Sequence, residues 1–350
     1  MRKAATRSSL ILLCAAMTAM PQSPRYAAEK TRIDGFDVVR LADRERKIEV
    51  LIAPGEGNNA YRMTVKGEPV LWAPADTPAG LKAARSMGGN PFLAPWANRI
   101  DGEAYYANGV KYLLNPHLGN YRKDGNGLPI HGLLVHASEW EVTRLAADGD
   151  GAVVTSRLEF WRYPRYMAQF PFAHTVEMTY RLAGGELEVE TAIENLSREP
   201  MPLSIGYHTY YQVTDAPRDE WKIRLGARER LLLSDKVVPT GERVPVEDRG
   251  PLVLGRTKLD DLFAGLVRDE RGRAVFSVEG ARQKIAVAFG PQYPIAVVWA
   301  PPGREFICFE PMTGPTNVFN LVHAGRWEEL QQVPPGGTWR ESFWIRPSGY

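Results

Sequence analysis

Cysteine is nearly absent from this 350-residue chain: there are two, Cys14 and Cys308. The first lies in an N-terminal segment that reads as a removable leader. The remaining chain would then keep one thiol and no intrachain disulfide, so its stability has to come from packing. Cys308, between aromatic and aliphatic neighbours in a strand-like run, reads as a small buried hydrophobe. Histidine is scarce too, six in all. No two stand at i, i+4 with a carboxylate, which excludes helical zinc motifs. Charge of one sign is not in excess: 43 Lys and Arg against 41 Asp and Glu leave +2. Without a basic block, nothing points to nucleic acid or an anionic membrane. No Gly-rich phosphate loop opens a helix and no Gly-x-Ser-x-Gly elbow occurs, so nucleotide binding and a serine nucleophile have no footing. Helical periodicity is confined to residues 79–87 and 258–263.

The first residues carry a different signal. Arg2, Lys3 and Arg7 precede an apolar run from Leu10 to Met20, and small and polar residues follow up to Ala28. This is the order of a secretory signal peptide, expected over residues 1–28. The run is shorter than the roughly 20 apolar residues needed to cross a bilayer. The expectation is therefore cleavage and release into the periplasm or medium without a membrane anchor. Residues 29–350 would form one domain.

Strand signals dominate that domain. Lys47–Ala53 alternates and is rich in β-branched residues. Residues 103–107 and 110–114 flank Asn108-Gly109, the pair that supplies the positive φ angles of a type I′ hairpin turn. Trp140–Leu145 and Val153–Phe160 form a second pair, and Thr175–Leu182 and Glu186–Ile193 a third. In the last of these, Leu187, Val189 and Thr191 alternate with three glutamates, a half-buried strand with one wet face. Further strands are expected at 221–233, 274–279, 284–289, 295–299, 305–309 and 339–346. Many short strands without βαβ alternation indicate an all-β antiparallel sandwich or barrel.

Four segments carry polar groups capable of chemistry. Asn98-Arg99, in a turn-rich loop, offers an amide and a guanidinium suited to holding hydroxyls; a loop arginine in a surface ion pair would look the same. His131-Gly132 enters an apolar segment. His208 lies in Tyr207-His208-Thr209-Tyr210-Tyr211, where a buried imidazole would need partners that an aromatic core does not supply. Glu310 closes the run Phe306-Ile307-Cys308-Phe309 at a Pro/Gly-rich turn. Singly, each of these also reads as ordinary structure.

In this order, joined by Pro239-Thr240-Gly241-Glu242 and by Asp260 ahead of Phe263, the segments resemble the aldose 1-epimerase (galactose mutarotase) family, with Pro311 after the glutamate closer to its divergent bacterial members. The resemblance covers roughly residues 35–345. It implies a single large antiparallel β-sandwich, a supersandwich with the site on an open sheet face. It also implies interconversion of the α and β anomers of a free aldose by acid–base ring opening, with no metal or organic cofactor. Carried onto this chain, it makes Glu310 the base and His208 the acid, with His131 a supporting hydrogen-bonder and Asn98, Arg99 and Asp260 holding hydroxyls. The partner is a small aldose. Two departures bear on the substrate: the family's glutamine near the sugar has no counterpart, Trp299 occupying that region, and either Asp260 or Asp261 fits the aspartate. The alternatives are a hexose-6-phosphate epimerase, with Arg85, Arg122, Arg162 and Arg165 as phosphate ligands, a non-catalytic sugar-binding module, and a polysaccharide lyase or hydrolase on a similar sandwich, which would need a longer groove.

Overall fold

Alternation of apolar and polar side chains builds most of the molecule. In Glu186–Asn195, Leu187 and Val189 are buried while Glu186, Glu188 and Glu190 are half-exposed, the period of two that a pleated strand imposes. The computed structural model describes residues 24–350 except 85, 249, 256 and 257. The expected signal segment lies outside the described residues as far as position 23.

Among the described residues the paired strands are antiparallel, with isolated parallel bridges at Ala94–Gly132 and Trp96–Ser204, and two large sheets carry the fold. A nine-stranded sheet runs from Glu141–Ala147 through Ala152–Glu159, His174–Ala183 and Glu186–Asn195 to the C-terminal Thr338–Ser348 and beyond to Leu252–Val253. An eight-stranded sheet orders Pro239–Pro245, Ala227–Leu233, Leu259–Leu266, Ile295–Ala300 and Ile307–Met312, followed by Gly206–Tyr207 and Phe92–Leu93, with Tyr210–Tyr211 also on Ile307–Met312. A five-stranded sheet formed by residues 26–69 joins the same core. This is the all-β antiparallel sandwich expected from the strand census.

The two large sheets face each other through aromatic contacts. Tyr207 packs on Phe343 with ring centroids 4.8 Å apart, and Phe309 on Phe276 at 5.9 Å. Tyr207 also shares a buried hydroxyl hydrogen bond with Thr191 of the opposite sheet. Each buried aromatic removes a large apolar area from water, which is the main stabilising term in such a core. Since Phe309 points into the sandwich, its neighbours Cys308 and Glu310 point to the other face of the sheet.

Three expectations need correction. The helical turn at 258–263 is instead the strand Leu259–Leu266, paired on both edges with Ala227–Leu233 and Ile295–Ala300. Leu-Asp-Asp-Leu-Phe is too short to have a decisive period, and long-range pairing decided it. The run 221–233 splits into Lys222–Arg224 and Ala227–Leu233, which belong to different sheets. Between them lies Gly226, where a Cβ would stand 2.4 Å from the Val275 carbonyl oxygen. Glu310 does not close its strand: Ile307–Met312 continues through it, with Glu310 opposite Val297 and Pro311 opposite Ala296.

The first strand, Tyr26–Ile33, begins ahead of the boundary expected after residue 28. Tyr26 is buried and its hydroxyl accepts the Gly184 N–H at 2.9 Å. Arg25 donates to the buried carboxylate of Asp43 at 2.9 and 3.2 Å. A chain starting at residue 29 would lose both, leaving Asp43 short of its main cation. Such a truncation is expected to destabilise the fold, chiefly through loss of the buried Tyr26 side chain, read as a lower midpoint in urea than that of a chain starting at residue 24.

Candidate active site

His208 and Glu310 meet because of strand register. Gly206 pairs with Met312 and Tyr210 with Cys308 on the same strand. Carried through the gap between those pairs, the register sets His208 opposite Glu310. Here the ladder opens: the His208 N–H turns away to donate to the Pro91 carbonyl at 3.0 Å. Pro311, which has no N–H to offer, fits the interrupted ladder. The side chains stay together, His208 Nε2 standing 3.4 Å from Glu310 Oε1.

The pair forms the floor of an open cleft of about 740 Å3, which Asn98, Arg99, His131 and Asp260 also line. The structure thus brings together all six residues singled out in the sequence. Asp260 pairs in register with Trp299 on the cleft side of the sheet. Its neighbour Asp261 accepts from Arg230 at 3.0 Å, so the aspartate of the cleft is Asp260.

Loop segments supply the other wall. Arg99 bridges to Ile130, and the His131 N–H donates to the Asn98 carbonyl at 2.8 Å. Asn98 and His131 both adopt left-handed backbone, with φ of 56° and 65°, a conformation that costs a non-glycine residue free energy and often accompanies function. Gly132 follows at φ 67°, and a Cβ there would lie 2.1 Å from the Ala94 carbonyl oxygen. Gly132→Ala is therefore expected to destabilise the fold by at least about 1–3 kcal/mol and to displace His131, measured by chemical denaturation and by loss of sugar affinity.

Electrostatics separate the cleft's groups. Glu310 is 1% exposed, and neither carboxyl oxygen has a hydrogen-bond partner among the described residues. Burial pushes its pKa well above the usual carboxylate range; Asp260 adds to the shift and Arg99 opposes it. Burial likewise pushes the His208 imidazole down to about 3, assisted by Arg122 and Arg99. His131 is lowered by burial and then by His208, its ring perpendicular to that of His208 at 5.3 Å between centroids. Burial thus disfavours charge on both members of the His208–Glu310 pair, the reverse of what ordinary pKa values suggest for a glutamate and a proton-donating histidine. Asp260 is also raised by burial, against the pull of Arg99 and Lys258.

Arg99 is held in place from within the cleft. Its Nε donates to Asp124 Oδ2 at 2.6 Å and its Nη1 to Asn98 Oδ1 at 3.0 Å. Burial alone would raise the Asp124 pKa, but Arg99 and the backbone N–H groups of Leu128 and Asn126 outweigh it and hold the carboxyl below its usual range. These two bonds leave donors of the guanidinium free for hydroxyls. Asp124 escaped the sequence reading, although the Asp124-Gly125-Asn126-Gly127 turn is a signal for a side chain that caps its own loop.

Cys308 lies on the same strand face as Glu310, buried behind the cleft. The ligand atoms of His208, Cys308 and Glu310 lie within 4.8 Å of one another, a donor set compatible with a thiophilic cation. His208 also stacks on Tyr210 at 4.8 Å and meets Trp299 edge-on at 5.4 Å. A desolvated carboxyl and an imidazole side by side, with hydroxyl-binding groups around them, can take up one proton while handing over another.

Comparison with known proteins agrees with this architecture. The family model described as Aldose 1-epimerase matches residues 57–346. A galactose mutarotase-like protein from Clostridium acetobutylicum superposes with a TM-score of 0.81 at 21% identity, over 93% of this chain and 99% of that one. A protein from Synechocystis sp. PCC 6803 gives 0.68 at 24% identity, over 96% and 100% of the two chains. An aldose epimerase homologue from C. elegans gives 0.68 at 16%, over 93% and 99%. At these identities the likeness is one of fold, while the family match spans most of the sequence: the chain belongs to the aldose 1-epimerase family.

Proposed function

We propose that the protein interconverts the α and β anomers of a free aldose. The observation that carries this reading is the buried, unpartnered Glu310 carboxyl set opposite His208 on the floor of the cleft. Leaving a carboxyl there without a hydrogen bond costs stability, and such costs concentrate where chemistry needs them.

The reaction needs two proton transfers and no net change in protons. Glu310, as carboxylate, takes the proton of the C1 hydroxyl while His208 gives one to the ring oxygen. The C1–O5 bond breaks, the C1–C2 bond rotates, and reclosure on the other carbonyl face returns both protons. The reactive form is the ion-pair tautomer, glutamate beside imidazolium. It carries the same single proton as the neutral pair that burial favours. The proton crosses the 3.4 Å gap between Oε1 and Nε2, and none is needed from solvent. His131 steadies the developing charge on the sugar oxygen. Arg99, Asn98 and Asp260 hold hydroxyls, with Arg99 fixed by Asp124.

This scheme has a pH signature. A lowered His208 pKa delays the second protonation of the pair to low pH, and a raised Glu310 pKa delays loss of its one proton to higher pH. Both shifts widen the pH range of the one-proton form. With His208 pushed down to about 3, kcat/KM is expected to show no acid limb at the ordinary imidazole value of about 6.5. An acid limb centred there would show that His208 titrates as a solvent-exposed histidine.

A sugar-phosphate substrate has less support. Of the arginines considered for it, Arg122 lines the cleft. Arg162 instead pairs with Glu159 at 2.6 Å and Arg165 with Glu139, and Arg85 lies outside the described residues. Export remains part of the proposal, on the strength of the basic and apolar leader. It predicts that activity fractionates with the periplasm or medium. Polarimetry of freshly dissolved α-anomers tests the function itself: faster mutarotation with enzyme supports it, and an unchanged spontaneous rate across neutral aldoses contradicts it.

A further inference from the structure

Side chains alternate along residues 207–211. His208 and Tyr210 line the cleft, whereas Tyr207 and Tyr211 pack inward on Phe343 and Phe309. Thr209 therefore points into the sandwich with them, and it is fully buried. Its hydroxyl donates to Asn90 Oδ1 at 2.5 Å.

Register puts Asn90 directly opposite. Gly206 pairs with Leu93 and Tyr207 with Phe92, antiparallel. The same register continues as the His208 N–H donates to Pro91 at 3.0 Å and the Tyr210 N–H to Gly89 at 2.9 Å, which sets Thr209 across from Asn90. Pro91 has no N–H to return, so the Thr209–Asn90 side-chain pair stands where the ladder is one bond short. Asn90 is itself buried and fixed. Its backbone N–H donates to Asn59 Oδ1 at 2.7 Å, and Asn59 Nδ2 donates to the Gly88 carbonyl at 2.9 Å. Asn90 Nδ2 donates to the Tyr180 hydroxyl at 3.3 Å, and Tyr180 donates to the Asn58 carbonyl at 2.9 Å. Tyr180 belongs to His174–Ala183 of the nine-stranded sheet. The chain Thr209–Asn90–Tyr180 thus ties the backbone beside His208 to the opposite sheet.

A paired polar network in an apolar core rigidifies what it joins. Rigidity matters here, because a misplacement of about 1 Å can cost a reaction about 10²-fold. We propose that Asn90 and Thr209 are positioning residues, which hold His208 at its 3.4 Å distance from Glu310 without touching the sugar. The inference rests on the anomerase reading of that pair. Neither residue lines the cleft, so losing their bond acts on the pair and spares sugar binding.

Thr209→Val keeps the shape of the side chain and removes the hydroxyl. It is expected to lower kcat by about 10- to 100-fold with KM within twofold. Thr209→Ser, which restores the hydroxyl, should recover most of the loss. Adding Thr209→Val to Asn90→Ala should lower kcat little further than Asn90→Ala alone, since the bond is already gone. In the Glu310→Gln background, where the pair is disabled, Thr209→Val should cost less than twofold. Parent-like kcat in Thr209→Val, a loss carried by KM, no recovery by serine, or an undiminished loss beside Glu310→Gln would overturn the positioning role. If Asn90→Ala does not fold, the two Thr209 variants decide alone. A second readout needs no turnover. The ring NMR resonances of His208, assigned by their loss in His208→Asn, should shift in Thr209→Val and return in Thr209→Ser, while those of His174 stay fixed. Unmoved His208 resonances would overturn the role as well. If the parent protein anomerises no sugar while that shift is present, the anomerase reading fails and the clamp on His208 stands.

Discussion

Glu310→Gln is expected to lower the rate of anomerisation roughly a thousandfold, within the range of about 10²–10⁴ that a positioned acid or base contributes. The amide keeps the shape of the carboxyl and removes its ability to accept a proton. Loss of activity should come without loss of fold. Glu310 is buried with both oxygens unpartnered, so the native residue stabilises nothing through hydrogen bonds that glutamine would forfeit. The thermal midpoint should stay level or rise, as when a strained functional group is replaced. A variant with parent-like rates would remove Glu310 from the reaction. One that unfolds would show that the carboxyl has a structural partner.

His208→Asn should have an effect of similar size, and the double variant makes the sharper point. Asparagine retains polarity at a buried position but has no titrating nitrogen. If His208 and Glu310 share one proton, either substitution disables the pair, and the second adds little to the first. Groups acting as a unit show such strong non-additivity. The double variant should therefore fall to about the level of the slower single variant. Multiplicative losses would indicate two groups working independently. Retained sugar binding in all three proteins would confirm that the cleft is intact.

Much of this site was legible in the sequence, and the reasons differ by residue. The Asn108-Gly109 hairpin appears as Ala104–Ala107 paired with Val110–Leu113, since a turn with its own stereochemical demand needs no tertiary help. Glu186–Asn195 kept its alternation because one face is buried and the other wet. His208 and Glu310 stood out as polar residues in apolar strands, though their facing registers could not be seen without the sheet. Local sequence misled where pairing partners lay far away. Leu259–Leu266 became a strand between two others, and Glu310 fell in mid-strand because Ile307–Met312 is held by Ile295–Ala300. The direction of the two pKa shifts was also hidden. Ordinary values describe solvated groups, while burial disfavours the charged form of both members of this pair. Asp124 was missed because its role is to orient Arg99, an assignment that requires the distance between them.

The central claim is that the one-proton pair His208–Glu310 opens and closes an aldose ring. Exchange NMR on an equilibrated aldose measures it most directly, as transfer of saturation between the α and β anomeric protons. With the parent protein, the α–β exchange rate should rise far above the spontaneous rate for at least one neutral aldose, with no new sugar formed, and Glu310→Gln should return it to nearly the spontaneous value. Exchange that stays spontaneous for every sugar the cleft binds, or acceleration that survives Glu310→Gln, would contradict the account.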